Sequence, residues 1–242
     1  MTVFIIAEAG VNHNGEANKA FQLIDIASKA KADAIKFQTF KAEDLVTRFA
    51  DTANYQKKAI KEKSQLEMLK KLELPKKLHF ELSDYARENS IEFMSTAFDS
   101  DSLKFLTNEL GVRKLKVSSG DITNEPFLLE HARTNLEIIL STGVSTIAEI
   151  KQALSVIAFG LISNKKENIK RQEFSEAYSS IEGQDALQSK LTVLHCTSQY
   201  PAPSNELNLN AIKTIKETFG VSVGYSDHSV DCSAHILAVA LG

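Results

Sequence analysis

Along this chain, short runs of β-branched and aliphatic residues alternate with longer segments whose apolar positions recur every three or four residues. Seven runs stand out: Val3-Phe4-Ile5-Ile6-Ala7-Glu8, Ala34-Ile35-Lys36-Phe37-Gln38-Thr39, Glu92-Phe93-Met94-Ser95-Thr96, Lys114-Leu115-Lys116-Val117-Ser118-Ser119, Ile138-Ile139-Leu140-Ser141-Thr142, Leu191-Thr192-Val193-Leu194-His195-Cys196-Thr197 and Val221-Ser222-Val223-Gly224-Tyr225-Ser226-Asp227-His228. Each ends in charged, hydroxyl or amide residues. A segment of helical period lies between successive runs, so the pattern predicts a parallel α/β chain with its polar residues at one end of the sheet. The first helix follows the Asn12-His13-Asn14-Gly15 turn and repeats Ala17, Ala20, Phe21, Ile24 and Ala27 on one face. Ser64 with Glu67, and Thr146 with Glu149, have capping-box spacing. Asn208 is placed to cap the helix carrying Ile212, Ile215 and Phe219. Two segments stand outside the rhythm. Residues 40–63 follow a strand end and are expected to cover the site; residues 163–190, charged and weakly periodic, are expected to lie away from it.

Ligands of parallel α/β folds sit at the carboxyl ends of the strands. Polar ends on all seven runs favour a (β/α)8 TIM barrel over an open sheet, which concentrates its site at one switch point, and they predict a small-molecule enzyme. Helix capping accounts for some Ser, Thr and Asp residues, but not for Lys36, Gln38, Lys116 or His228. Lys36 and Lys116 lie inside apolar strands, where an unpaired ammonium is costly; a surface lysine would lay its stem along the protein and keep its charge in water.

Composition narrows the classes. At 242 residues, 43% hydrophobic and 24% charged, the chain can bury one large core, and no Pro/Gly/Ser-rich linker marks a second domain, so residues 1–242 are expected to be a single barrel domain. A net charge of -3 and the absence of Trp give no footprint for nucleic acid. No apolar stretch is long enough to span a bilayer, and a strand-like start argues against a signal peptide, so a cytoplasmic protein is expected. Cys196 and Cys232 are expected to be buried free thiols.

In order, the segments Ile6-Ala7-Glu8-Ala9-Gly10-Val11-Asn12-His13-Asn14-Gly15, Ile35-Lys36-Phe37-Gln38-Thr39, Ser118-Ser119-Gly120-Asp121-Ile122-Thr123-Asn124, Leu140-Ser141-Thr142-Gly143, His195-Cys196-Thr197-Ser198-Gln199-Tyr200-Pro201-Ala202-Pro203 and Gly224-Tyr225-Ser226-Asp227-His228 resemble the sialic acid synthase family. The resemblance implies condensation of phosphoenolpyruvate with an N-acetylmannosamine-type amino sugar to a nonulosonic acid such as sialic, legionaminic or pseudaminic acid. It places Thr96, Lys116, Ser119, Ser141, Ser198 and Ser226 around the phosphate and Lys36 near the phosphate or carboxylate. It makes His228 one of two histidine ligands to a divalent ion, manganese or magnesium, that polarises the acceptor aldehyde. Glu8 and Asp121 are the acid/base candidates, with a buried ion pair to Lys36 and a helix cap as their respective structural readings. Gln38 and Tyr200 are implied neutral contacts to the sugar, and His195 a wall or supporting group.

Departures from the family pattern are Asp121 where Glu is frequent, Ala97 where Pro is frequent and Lys31 in place of Gly. The resemblance also implies an eighth strand with the second metal histidine and a small further domain that closes a homodimer's site. Residues 1–242 are therefore expected to be a barrel truncated after its seventh β/α unit. Two other readings stay open: a Schiff-base aldolase using Lys36 or Lys116, and a non-catalytic fragment that binds phosphoenolpyruvate.

Overall fold

The computed structural model describes residues 3–47, 64–230 and 232–242. They divide between two compact units, Met1–Arg113 and Lys114–Gly242.

In the first unit, β1 (Ile6–Gly10) leads through α1 (Ala17–Lys29) to β2 (Ala34–Thr39). A single helical turn α2 (Ala42–Leu45), then α3 (Gln65–Leu72) and α4 (Lys76–Glu88), precede β3 (Glu92–Ala97) and α5 (Ser100–Lys104), which runs on into a π-helical stretch, Phe105–Leu110. The expected cover over residues 40–63 lies, from residue 48 onward, outside the described residues. Ala20, Ile24 and Ala27 bury the predicted face of α1. Ser64 Oγ accepts the Glu67 amide at 3.2 Å and so starts α3 where the capping pattern predicts. β1 and β2 run parallel with Ile6 opposite Ala34, and β2 and β3 run parallel with Ala34 opposite Glu92 and Gln38 opposite Thr96. Because side chains alternate along a strand, Lys36 and Gln38 leave one face while Phe37 and Thr39 leave the other. On that second face Phe37 stacks on Phe93 with centroids 5.5 Å apart.

The second unit begins at β4 (Lys114–Val117), a 3-10 turn (Ser119–Asp121) and α6 (Glu125–Arg133), followed by β5 (Glu137–Ser141) and α7 (Ile147–Ile162). Next come α8 (Arg171–Ser179), α9 (Ile181–Lys190), β6 (Leu191–Cys196), a 3-10 turn (Ser204–Glu206), α10 (Ala211–Phe219), β7 (Ser222–Ser226) and α11 (Ser233–Ala240). β4 to β7 pair in parallel, with Lys114 opposite Glu137, Ile138 opposite Leu191 and Thr192 opposite Ser222. The core gathers Leu128, Ile138, Leu140, Leu154, Ile157 and Val193; each fully buried Leu or Ile contributes roughly 1.5–3 kcal/mol. α6 and α7 approach closely because residue 160 is glycine: a Cβ there would lie 2.5 Å from the Ala132 Cβ. Thr146 and Glu149 form the predicted capping box, the carboxylate accepting the Thr146 amide at 2.7 Å.

Seven parallel strands in chain order make this an α/β protein, as the hydrophobic pattern predicts. Three local expectations are corrected. Residues 163–190 do not stand outside the helical rhythm: they contain α8 and α9, whose Phe174, Ala177 and Leu187 pack into the core, and short apolar sets spaced by charges hid them. Asn208 does not cap α10 with its side chain: it takes a left-handed turn and its carbonyl accepts the Ala211 amide. Cys196 is buried, but Cys232 is exposed at the start of α11. Among the described residues, no helix is long and apolar enough to cross a membrane.

Candidate functional site

The first unit collects Glu8 and Lys36, in the middle of β1 and β2, with Gln38 and Thr96 near the carboxyl ends of β2 and β3. Lys36 is only 7% exposed. Its ammonium is ion-paired with Glu8 and donates to Thr96 Oγ1 at 3.3 Å, which answers the cost of burying the charge. Gly10, at φ +50°, brings the chain close beneath this group: a Cβ there would lie 3.2 Å from Glu8 Oε1 and 3.7 Å from Gln38 Nε2. The ion pair expected of Glu8 forms, but it is buried only on the lysine side: the Glu8 side chain is 53% exposed and reachable by a ligand.

Behind this cluster lies a second polar set that sequence reasoning missed. His79 Nδ1 donates to the Pro75 carbonyl at 3.1 Å, so Nε2 accepts from the Thr39 hydroxyl at 2.8 Å. Thr39 has then spent its proton, and the Ser95 hydroxyl donates to it at 2.7 Å. All three side chains are buried. The sequence signal is thin: Thr39 and Ser95 sit one residue from Gln38 and Thr96, on the opposite face.

The second unit carries the remaining candidates. Lys116 is buried on β4 and donates to the Val117 carbonyl at 2.8 Å. Asp121, at the end of the 3-10 turn, has its carboxyl pushed above the ordinary value by burial, an effect the Lys116 ammonium partly offsets. Ser141 ends β5 and is buried. Gly143 is where the hydroxyls meet: a Cβ there would overlap Ser198 Oγ and lie 2.9 Å from Cys196 Sγ and 3.2 Å from Ser119 Oγ. Only a glycine lets the Ser198 hydroxyl lie this close to the backbone at residue 143. Ser119, Ser198, Gly143 and Tyr200 line an open cleft of about 520 Å³ together with Ile122, Thr123 and Val144.

His228 follows β7, and its Nδ1 donates to the Thr197 carbonyl at 2.6 Å. That bond fixes the tautomer and leaves Nε2 as an acceptor. In this structure Nε2 receives the Tyr200 hydroxyl at 3.1 Å and lies 3.4 Å from Ser226 Oγ. The Tyr200 loop is held against the His228 loop by an Ala202 amide bond to the His228 carbonyl at 2.8 Å. His195 bonds the Leu207 carbonyl at 2.7 Å and stacks on Tyr225, a supporting place. Asp227, also unassigned from sequence, accepts the Tyr225 hydroxyl at 3.0 Å and the Ser229 amide at 2.8 Å and pairs with His235 at 2.9 Å. Burial pushes the Asp227 carboxyl upward, but these hydrogen bonds and His235 outweigh it and hold the group below its usual value. The same burial, with Asp227 close by, pushes the Tyr225 phenol well above its own. Among the described residues, no three His, Cys, Asp or Glu side chains gather as a metal site.

A family model described as the NeuB family matches residues 23–242. The chain belongs to the NeuB family. Members similar to it include N,N'-diacetyllegionaminic acid synthases of Campylobacter jejuni (45% identical, covering 98% of this chain and 64% of the relative) and Legionella pneumophila (43%, covering 100% and 62%). The chain thus spans less than two thirds of the length of these relatives. Among solved structures, an N-acetylneuraminic acid synthetase from Leptospira borgpetersenii in complex with citrate superposes with a TM-score of 0.77 at 36% identity, covering 100% of this chain and 70% of that one. NeuB membership accords with the resemblance seen in the sequence motifs.

Proposed function

We propose that this chain is the barrel part of a synthase that condenses phosphoenolpyruvate with an N-acylated amino sugar to give a nonulosonic acid and phosphate. The observation that carries this reading is the convergence of Ser119 and Ser198 over Gly143 in an open cleft of the second unit. A phosphate needs several donors and tolerates no side chain filling the space between them. Ser141, Ser226 and Lys116 complete the proposed phosphate ligands. In the first unit, Lys36 and Thr96 serve the same substrate class, and Glu8 and Gln38 face sugar hydroxyls. The names of the relatives and the citrate bound by the Leptospira protein support an anionic substrate.

In the proposed reaction the enol carbon of phosphoenolpyruvate attacks the aldehyde carbon of the open-chain sugar, forming the new C–C bond. The aldehyde oxygen takes up a proton, and Asp121, its carboxyl raised by burial, is suited to hold that proton. Water then adds to the cationic former enol carbon, loses a proton, and the C–O bond to phosphate breaks. Oxygen-18 in the bridging position should therefore leave with phosphate; its retention in the sugar acid would overturn the mechanism.

Manganese or magnesium belongs to this reading through His228, whose ring is oriented by Thr197 as a ligand's would be. A divalent ion of this kind takes several ligands, and the described residues supply one imidazole, so they do not by themselves fit the ion and no step is routed through it. A complete (β/α)8 barrel, a homodimer and a cytoplasmic location are further parts of the proposal, supported by the family resemblance alone. The aldolase alternative, with Lys36 or Lys116 forming a Schiff base, is tested directly by borohydride trapping with a keto substrate. Calorimetric titration of residues 1–242 with phosphoenolpyruvate tests the main reading. Lys116→Ala should weaken that binding by about 1.5–3 kcal/mol, and an unchanged affinity would remove Lys116 from the phosphate site.

A further inference from the structure

Val144 is held in a conformation that its own chemistry opposes. Among the described residues, seven non-glycine residues have φ in the left-handed region, and six of them are Asn, Lys or Ser; the seventh is Val144, at φ 58°. A β-branched side chain is strained there, and such strain persists only where the surroundings impose it. The surroundings do so on both sides. Thr142 bonds the Leu194 carbonyl through its amide and its hydroxyl, each at 3.0 Å. Ser145 Oγ bonds the Gly143 carbonyl at 3.2 Å, and the Thr146–Glu149 capping box locks the start of α7.

The strain brings the valine no packing inside the protein. The residue is 91% exposed, whereas Thr142 and Gly143 before it are buried. Glycine or asparagine would make the same bend at lower cost. What the bend does achieve is to stand an isopropyl group on the wall of the cleft that holds the Ser119 and Ser198 hydroxyls.

We propose that Val144 is a specificity-determining residue, an apolar wall against which the N-acyl methyl group of the acceptor sugar packs while phosphate is held at Ser119 and Ser198. This rests on the synthase reading and adds to it the residue that senses acylation. The hydroxyls around Gly143 suit an anion, and an acylamino group is the acceptor's apolar part, so the valine complements the sugar rather than the phosphate.

The test uses residues 1–242 titrated with phosphoenolpyruvate, and then the loaded protein titrated with N-acetylmannosamine and with mannosamine. The wild type should prefer the acetylated sugar, and both Val144→Gly and Val144→Ala should cut that preference by about tenfold, the scale of a lost methyl contact. Val144→Gly should also raise the thermal midpoint by about 2–4 °C as the backbone strain is released, which shows that lost preference is not lost folding. Val144→Ala keeps the Cβ constraint and separates the apolar contact from loop stiffness. A wild type without preference, or a preference that neither variant alters, would overturn the proposal while leaving the phosphate site intact. Failure of the wild type to bind phosphoenolpyruvate would instead overturn the synthase reading beneath it.

Discussion

The two units answer the burial of polar groups in different ways. In the first, two sets of polar side chains are matched internally: Lys36 with Glu8 and Thr96, and His79, Thr39 and Ser95 in a chain of hydrogen bonds ending at the Pro75 carbonyl. In the second, the Ser119 and Ser198 hydroxyls meet across Gly143 and open onto a cleft. Internally matched groups fix geometry, because leaving one unpaired costs about 1–3 kcal/mol. Hydroxyls that a glycine allows to gather at the wall of a cleft can spend their hydrogen bonds on a ligand. Under the proposed function, the internally paired groups of the first unit would fix its geometry, and the Ser119 and Ser198 hydroxyls of the second would be the groups able to bind an anion.

The sharpest way to break this contrast is Gly143→Ala. Its methyl would overlap Ser198 Oγ, so phosphoenolpyruvate affinity should fall by about 100-fold, consistent with a few kcal/mol of overpacking. Calorimetry showing affinity within threefold of wild type would mean that the phosphate binds elsewhere.

Thr39→Val in the first unit should act on stability instead. It leaves His79 Nε2 and the Ser95 hydroxyl without the bonds they make in the structure, at a cost of about 1–3 kcal/mol in denaturant unfolding, while Thr39→Ser should recover most of it. A Thr39→Val protein as stable as wild type would show that the network is replaceable by packing.

Glu8→Gln should cost less, about 1–2 kcal/mol, because Lys36 is buried but Glu8 is half exposed and water can approach the lysine from that side. Adding Lys36→Met should restore part of the loss. If the two changes are additive in a double-mutant cycle, the pair is not coupled.

The smallest effect is on pH. Burial lowers the imidazole values of His13, His79 and His131 below 6.5, for His79 with a further push from His13 and an opposing one from the Pro75 carbonyl. The unfolded chain takes up protons where the folded chain does not, so stability is full above about pH 6.5 and declines as pH falls toward 5. His131→Phe should flatten that decline, as read from unfolding midpoints at pH 7.5, 6.5 and 5.5. An unchanged slope would assign the pH dependence to other groups.

Much of the fold was legible in the chain because a parallel strand buried on both faces must be apolar, and each run is local in sequence. The runs overlap β1 to β7, although Val3, Phe4 and Ile5 lie exposed ahead of β1, and Thr146 with Glu149 marks the start of α7. α8 and α9 were not legible, since their apolar residues are few and gain meaning only against the core they join. Among site residues, Glu8 pairing with Lys36 was foreseeable, because a lysine inside an apolar strand requires a partner. The Tyr200 hydroxyl on His228 was not. Nothing in a run of residues tells which of two side chains 28 positions apart will meet.

The sequence by itself determined the alternation of strands and helices, the polar strand ends and the kinds of chemistry they can supply, because periodicity and residue type are properties of neighbours along the chain. Only the tertiary structure decided that Gly143 lets the Ser198 and Ser119 hydroxyls close in on its backbone, that Thr197 sets the tautomer of His228, and that Val144 bears a strained bend at the cleft. Those features arise from contacts between strand ends far apart in sequence, and a hydrogen bond or a steric exclusion exists only once folding has set the distance.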